Sequence, residues 1–148
     1  MTAPTDAAQR SVTPAARRIL VVDDEEEIRR LATRVLIHQG YRVDSAEDGE
    51  VAWATLQAAR YDLLITDHDM PKVTGLELLR KLHRACMDVP VIIASGTMPR
   101  DELERSPWLQ PASTLIKPYS VEHLLHAVGA VLRSPATRPE VAPPCFHV

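Results

Sequence analysis

The sequence predicts an α/β fold, a doubly wound parallel sheet with helices on both faces. Three observations carry that prediction. Short apolar runs at residues 19–22, 62–66, 91–94 and 114–116 alternate with stretches whose apolar residues recur at helical spacing. These runs are not interleaved with polar residues, as expected of strands buried on both faces. Each run also stops at a reactive side chain: Asp23 and Asp24, then Asp67, then Ser95, then Lys117. A single Asp after a strand is most often a turn former. Acids, a hydroxyl and a cation at the ends of different strands are not explained as turns. In open parallel sheets ligands sit outside the carboxyl ends of the strands, so these residues are expected to share one edge.

The chain has 148 residues, the size of one domain with a full core. Residues 1–17 are rich in Ala, Thr and Pro and are expected to be disordered; residues 18–133 form the domain; residues 134–148 form a flexible, proline-rich tail. A net charge of −3 with scattered Lys and Arg excludes a nucleic-acid-binding surface from the expectations. No apolar stretch approaches the ~20 residues of a membrane span, and the first residues lack a signal peptide's apolar centre. Cys86 and Cys145 have no metal-ligand spacing, which points to reduced thiols and a cytoplasmic protein.

Each element has its own signals. After the first strand, Ile28, Leu31, Ala32, Val35 and Leu36 mark a helix, with Glu25, Glu26 and Glu27 at its positive end. Gly40 ends that helix. Residues 41–45 alternate and are less apolar, as in an edge strand. Asp48 caps a second helix over residues 49–59. The third strand leads to Asp67, and Pro71 stops it. Thr74 and Glu77 form a capping box for a third helix with Leu76, Leu79 and Leu82 inward. The fourth strand ends at Ser95. Pro99, Pro107 and Pro111 confine the next helix to residues 100–106. The fifth strand ends at Lys117, and Ser120 caps a last helix with Val121, Leu124, Leu125, Val128 and Leu132 on one face.

Clustered carboxylates repel; at 4 Å and an effective dielectric of 20 each pair costs ~4 kcal/mol. Such a group raises its pKa values or takes up a hard cation, and oxygen ligands at an open site suit Mg²⁺. Asp67 can then serve as a carboxylate nucleophile toward phosphorus. Lys117 can neutralise one phosphoryl oxygen and Ser95 can donate to another, while Gly96 leaves room for the group.

The stretch around Asp23-Asp24-Glu25, the run Asp67-His-Asp-Met-Pro71, the Ser95-Gly pair and the Lys117-Pro118 pair occur in that order. Together they resemble the receiver domains of bacterial two-component response regulators, over residues 18–133. The resemblance implies a flavodoxin-like sheet in the order 2-1-3-4-5 and a cis peptide before Pro118. It implies phosphorylation of Asp67 by a histidine kinase or a histidine phosphotransfer protein. It implies Mg²⁺ held by Asp24, Asp67 and the backbone carbonyl of Asp69, with Asp23 acting through water. The family's aromatic residue three positions before the Lys-Pro pair is replaced by Thr114, and Gln110-Pro111 stand where it has small residues.

The expected function is therefore a phosphoacceptor switch or relay carrier, and not an enzyme beyond its own phosphorylation and dephosphorylation. Residues 134–148 are too short for DNA-binding helices, so output is expected through a downstream protein, with no DNA or membrane contact, from a monomer or weak dimer. An alternative from the enzyme class reads Asp67-His-Asp69 as the nucleophile motif of haloacid-dehalogenase-like phosphatases. Those carry that motif after the first strand and a further acidic motif after the lysine, which this sequence lacks. His68 is expected to face away from Asp67, since neighbours on a strand alternate. His38, His83, His123 and His126 lack ligand spacing, and Trp53 and Trp108 are expected to be packing residues.

Overall fold

The computed structural model describes residues 16–133; the expectations for the two terminal segments otherwise lie outside the described residues. The elements follow in strict alternation: β1 (Arg18–Val22), α1 (Glu26–His38), β2 (Arg42–Ala46), α2 (Gly49–Ala58), β3 (Leu63–Asp67), α3 (Gly75–Arg84), β4 (Val91–Ser95), α4 (Arg100–Arg105), β5 (Ser113–Ile116) and α5 (Val121–Arg133). The sheet has 5 strands, all parallel, in the order β2-β1-β3-β4-β5. This is the flavodoxin-like order, with the sequence direction reversing beside β1.

The unbroken apolar runs are explained by burial on both faces. Leu20 and Val22 of β1, Leu64 of β3 and Ile93 of β4 pack with Ala52, Leu56, Leu76 and Leu82 of α2 and α3. Their strand neighbours Ile19, Val21, Leu63, Ile65 and Ile92 pack with Leu36, Leu124 and Val128 of α1 and α5. Successive side chains leave a strand on opposite faces, so a central strand needs apolar residues at every position.

The capping signals are realised. Asp48 accepts from the N–H of Val51 at 2.8 Å, Ser120 Oγ accepts from the N–H of His123 at 3.0 Å, and Thr74 with Glu77 closes a full capping box. Each such cap is worth about 1 kcal/mol. Gly40 adopts φ 99°, the left-handed conformation that turns the next peptide back so that the Tyr41 N–H reaches the Leu36 carbonyl at 3.2 Å and terminates α1.

Two helical faces depart from expectation. In α5 the buried stripe is Leu124, Ala127, Val128 and Val131, while Val121 is 40% exposed. In α1, Ala32 and Leu36 are buried and Leu31 is 54% exposed. The buried arcs include small alanines that allow close approach to the sheet, and large residues at the margin are displaced outward. The α4 helix is short, uncapped by any side chain, and buries nothing fully. Leu109, in the segment that follows, supplies the missing core contact at 1% exposure. No described helix is long and apolar enough to cross a membrane.

Candidate functional site

The strand registers bring the reactive residues to one edge. Val22 lies beside Thr66, Asp67 beside Ala94, and Ser95 beside Ile116, so the chain leaves all these strands at one level. Asp23, Asp67 and Ser95 are buried there at 4%, 3% and 0% exposure, while Asp24 is exposed. Carboxylate oxygens of Asp23, Asp24 and Asp67 all lie within 4.8 Å of one another. Lys117 Nζ sits 3.0 Å from Asp23 Oδ2, 3.1 Å from Asp67 Oδ2 and 4.0 Å from Glu25 Oε1. The Lys117–Pro118 peptide is cis, and the Lys117 N–H donates to the Ser95 carbonyl at 2.9 Å.

Each acid is fixed by its own backbone. The N–H of Glu25 donates to Asp23 Oδ1 at 2.9 Å, and the N–H of Asp69 donates to Asp67 Oδ1 at 3.1 Å. Arg29 reaches back from α1 and donates to the Asp23 carbonyl at 2.8 Å. Ser95 Oγ lies 2.9 Å from Asp69 Oδ2 and 2.7 Å from the Thr97 carbonyl, and accepts from the Thr97 N–H at 3.2 Å.

The first turn of α3 is docked against the backbone of Asp67. A Cβ on Gly75 would stand 2.7 Å from the Asp67 carbonyl oxygen and 3.0 Å from His68 Cα, so only glycine allows the approach. The imidazole of His68 accepts from the Leu76 N–H at 3.3 Å, and its carbonyl accepts from the Gly75 N–H at 3.2 Å. Two orphan donors of α3 are thereby satisfied by the residue next to Asp67.

The charges of the site oppose one another. Burial pushes the Asp67 carboxyl above its usual range; the hydrogen bond and charge of Lys117 pull it down, and Asp23 pushes it up again. Burial pulls the Lys117 ammonium down, but the hydrogen bonds it donates to Asp23 and Asp67, together with their charges, outweigh it and leave its pKa raised. Lys117 is therefore charged at neutral pH, and one cation faces three clustered acids. An all-oxygen donor set of this kind, buried on one side and open at Asp24, fits a hard divalent cation.

Arg29, His68, Gly75 and Thr97 support the site without having been picked out as site residues. Arg29 carries no signal, since a surface arginine on a helix is common. Gly75 does carry one: a glycine inside a capping box weakens a helix unless space demands it.

A family model described as the response regulator receiver domain matches residues 19–129. The chain belongs to that family. Response regulator MprA of Mycobacterium bovis is 38% identical over 128 residues, which cover 84% of this chain and 54% of that protein. The chain thus spans about half the length of the curated relatives it matches. Among solved structures, chemotaxis response regulator CheY4 of Vibrio cholerae aligns with a TM-score of 0.72 at 29% identity, covering 78% of this chain and 98% of that one. TrrA of Thermotoga maritima, solved in complex with Mg²⁺-BeF, aligns with a TM-score of 0.68 at 32% identity, covering 78% of this chain and 98% of that one. The protein is a receiver domain of a response regulator in two-component signalling. Family membership decides between the two phosphoryl readings and sets the phosphatase alternative aside.

Proposed function

We propose that this receiver is phosphorylated on Asp67 by a phosphohistidine of a histidine kinase or phosphotransfer protein. A carboxylate oxygen of Asp67 attacks phosphorus, the P–N bond breaks, and the imidazole leaves with the electron pair and takes a proton from solvent. The observation that carries the reading is the placement of Asp67: buried at the end of β3, 3.1 Å from the Lys117 ammonium, the one cation in contact with it among the described residues, and beside Asp23 and Asp24. Asp24 and Asp67 would hold Mg²⁺ with the Asp69 carbonyl, and Asp23 would act through water. Bound there, the metal supplies charge neutralisation for the incoming phosphoryl oxygens. Lys117 has its ammonium already directed at Asp67 and can pass to a phosphoryl oxygen. Ser95 can donate to another. Hydrolysis of the acyl phosphate returns the protein to rest, so turnover is confined to its own phosphoryl group.

The signal then passes to a downstream protein through a change of shape, with neither DNA nor membrane as a direct ligand of the receiver and with a monomer or weak dimer as the working form. We place the switch in the cytoplasm. The deciding experiment incubates the protein with acetyl phosphate and Mg²⁺. The expected result is one acid-stable, base-labile phosphoryl group by mass, abolished by Asp67→Asn. Labelling of the variant at another residue overturns the assignment.

A further inference from the structure

The buried hydroxyl that should meet the phosphoryl group is already engaged. Ser95 has a single hydroxyl proton. Its Oγ accepts from the Thr97 N–H and lies within donating distance of two acceptors, the Asp69 carboxylate at 2.9 Å and the Thr97 carbonyl at 2.7 Å. A charged acceptor makes the stronger hydrogen bond, which favours Asp69. Asp69 also donates its N–H to Asp67 Oδ1 at 3.1 Å. One residue therefore ties the acceptor carboxylate, through its backbone, to the hydroxyl at the end of β4, through its side chain.

We propose that Asp69 is a positioning residue for Ser95: in the resting protein its carboxylate holds the hydroxyl that a phosphoryl oxygen would otherwise take, and the site closes only when that bond is released. The proposal rests on Asp67 being the phosphoacceptor. A phosphoryl group on Asp67 adds negative charge beside the Asp69 carboxylate and offers new acceptor oxygens to Ser95. Both effects favour release. The freed carboxylate is at the exposed mouth of the site and passes into water at little cost, since Asp69 is already exposed. Ser95, at 0% exposure, has no water to turn to, so its proton moves from one anion to the other.

The test is a double-mutant cycle on the affinity for beryllofluoride, a phosphoryl mimic, at saturating Mg²⁺. Asp69→Ala should tighten binding by roughly tenfold to a hundredfold, the scale of one hydrogen bond to a charged group. Asp69→Asn keeps an oxygen acceptor for Ser95 and should gain less. Ser95→Ala should remove most of the advantage of Asp69→Ala, because the two residues then no longer compete and only the charge repulsion remains. An equal gain in the Ser95→Ala background shows charge repulsion alone and overturns the proposal, as does unchanged or weaker binding by Asp69→Ala. A second readout needs no ligand: the Gly96 and Thr97 amide resonances should move in unliganded Asp69→Ala, and unmoved resonances overturn the contact itself. Failure of the unmutated protein to take up beryllofluoride or acetyl phosphate would instead strike the phosphoacceptor reading, with the ligand-free spectra still reporting on the Asp69–Ser95 bond.

Discussion

Lys117 and Asp23 are 94 positions apart in the chain, and Lys117 Nζ donates to Asp23 Oδ2 at 3.0 Å at the centre of the site. The same ammonium lies 3.1 Å from Asp67 Oδ2, so it is shared between two buried acids. Losing it leaves both carboxylates buried without a cation. Lys117→Ala is therefore expected to destabilise the Mg²⁺-free protein by about 3 kcal/mol in urea unfolding at neutral pH. The loss should shrink on acidification, as the stranded acids take up protons. A variant as stable as the parent at pH 7 would show that the ammonium does not offset the burial of the acids.

Asp67 gives the opposite sign. Its pKa is raised in the folded state, chiefly by burial, so the ionised form costs stability above that folded pKa. The cost fades as pH falls through the folded pKa and is absent below the unfolded value. Asp67→Asn should accordingly melt a few degrees higher than the parent at neutral pH without metal. The two melting temperatures should converge through the carboxylate range. A difference that persists unchanged to acid pH would assign the gain to packing.

Divalent metal should reverse that order. A ligand that binds only the folded state stabilises by about 2.7 kcal/mol at 100 times its dissociation constant. Saturating Mg²⁺ should raise the parent's melting temperature, while Asp24→Asn and Asp67→Asn, each missing one of the clustered carboxylates, should respond less. A parent melt indifferent to millimolar Mg²⁺ would count against the metal site.

Most of the sheet edge was legible because its signals are local. A run such as Leu63-Leu-Ile-Thr must be a two-faced strand, and the residue that ends it must stand at the edge. Strand order was not contained in that pattern; it came with the resemblance, and the register of β1 between β2 and β3 bears it out. The helix faces were read less well because spacing gives a stripe but not its rotation. Leu31 and Leu36 both fit the α1 pattern, yet only Leu36 is buried. The bonds made by His68 and Asp69 were illegible, since they depend on how α3 and the end of β4 approach the loop after β3.

That approach makes Gly75 a sensitive position. Alanine there would place its methyl 2.7 Å from the Asp67 carbonyl oxygen, a backbone atom that cannot rotate away. Overpacking of this kind costs typically 1–3 kcal/mol. Gly75→Ala is expected to lose about 2 kcal/mol and to slow labelling by acetyl phosphate, because α3 pushes on the acceptor's own peptide. Unaltered labelling at full folding would show that the loop yields without moving Asp67.

Activation should be felt mainly between Ser95 and Arg105. Release of Ser95 toward a phosphoryl oxygen pulls on Thr97, whose N–H and carbonyl both contact the serine hydroxyl. Next in line is α4, a short helix with no side-chain cap that begins at Arg100 beside Pro99. It is held to α3 by Arg80 with Glu102 at 3.5 Å, a half-exposed pair worth little. The Thr114 side chain on β5 is exposed, small and β-branched, so it has no ring to swing inward and few rotamers to change. A partner would therefore read the reordered loop and α4. Amide shifts recorded with and without beryllofluoride should change most over residues 95–105 and little at Thr114. Large changes on the outer face of α5 with a silent 95–105 segment would place the output surface elsewhere.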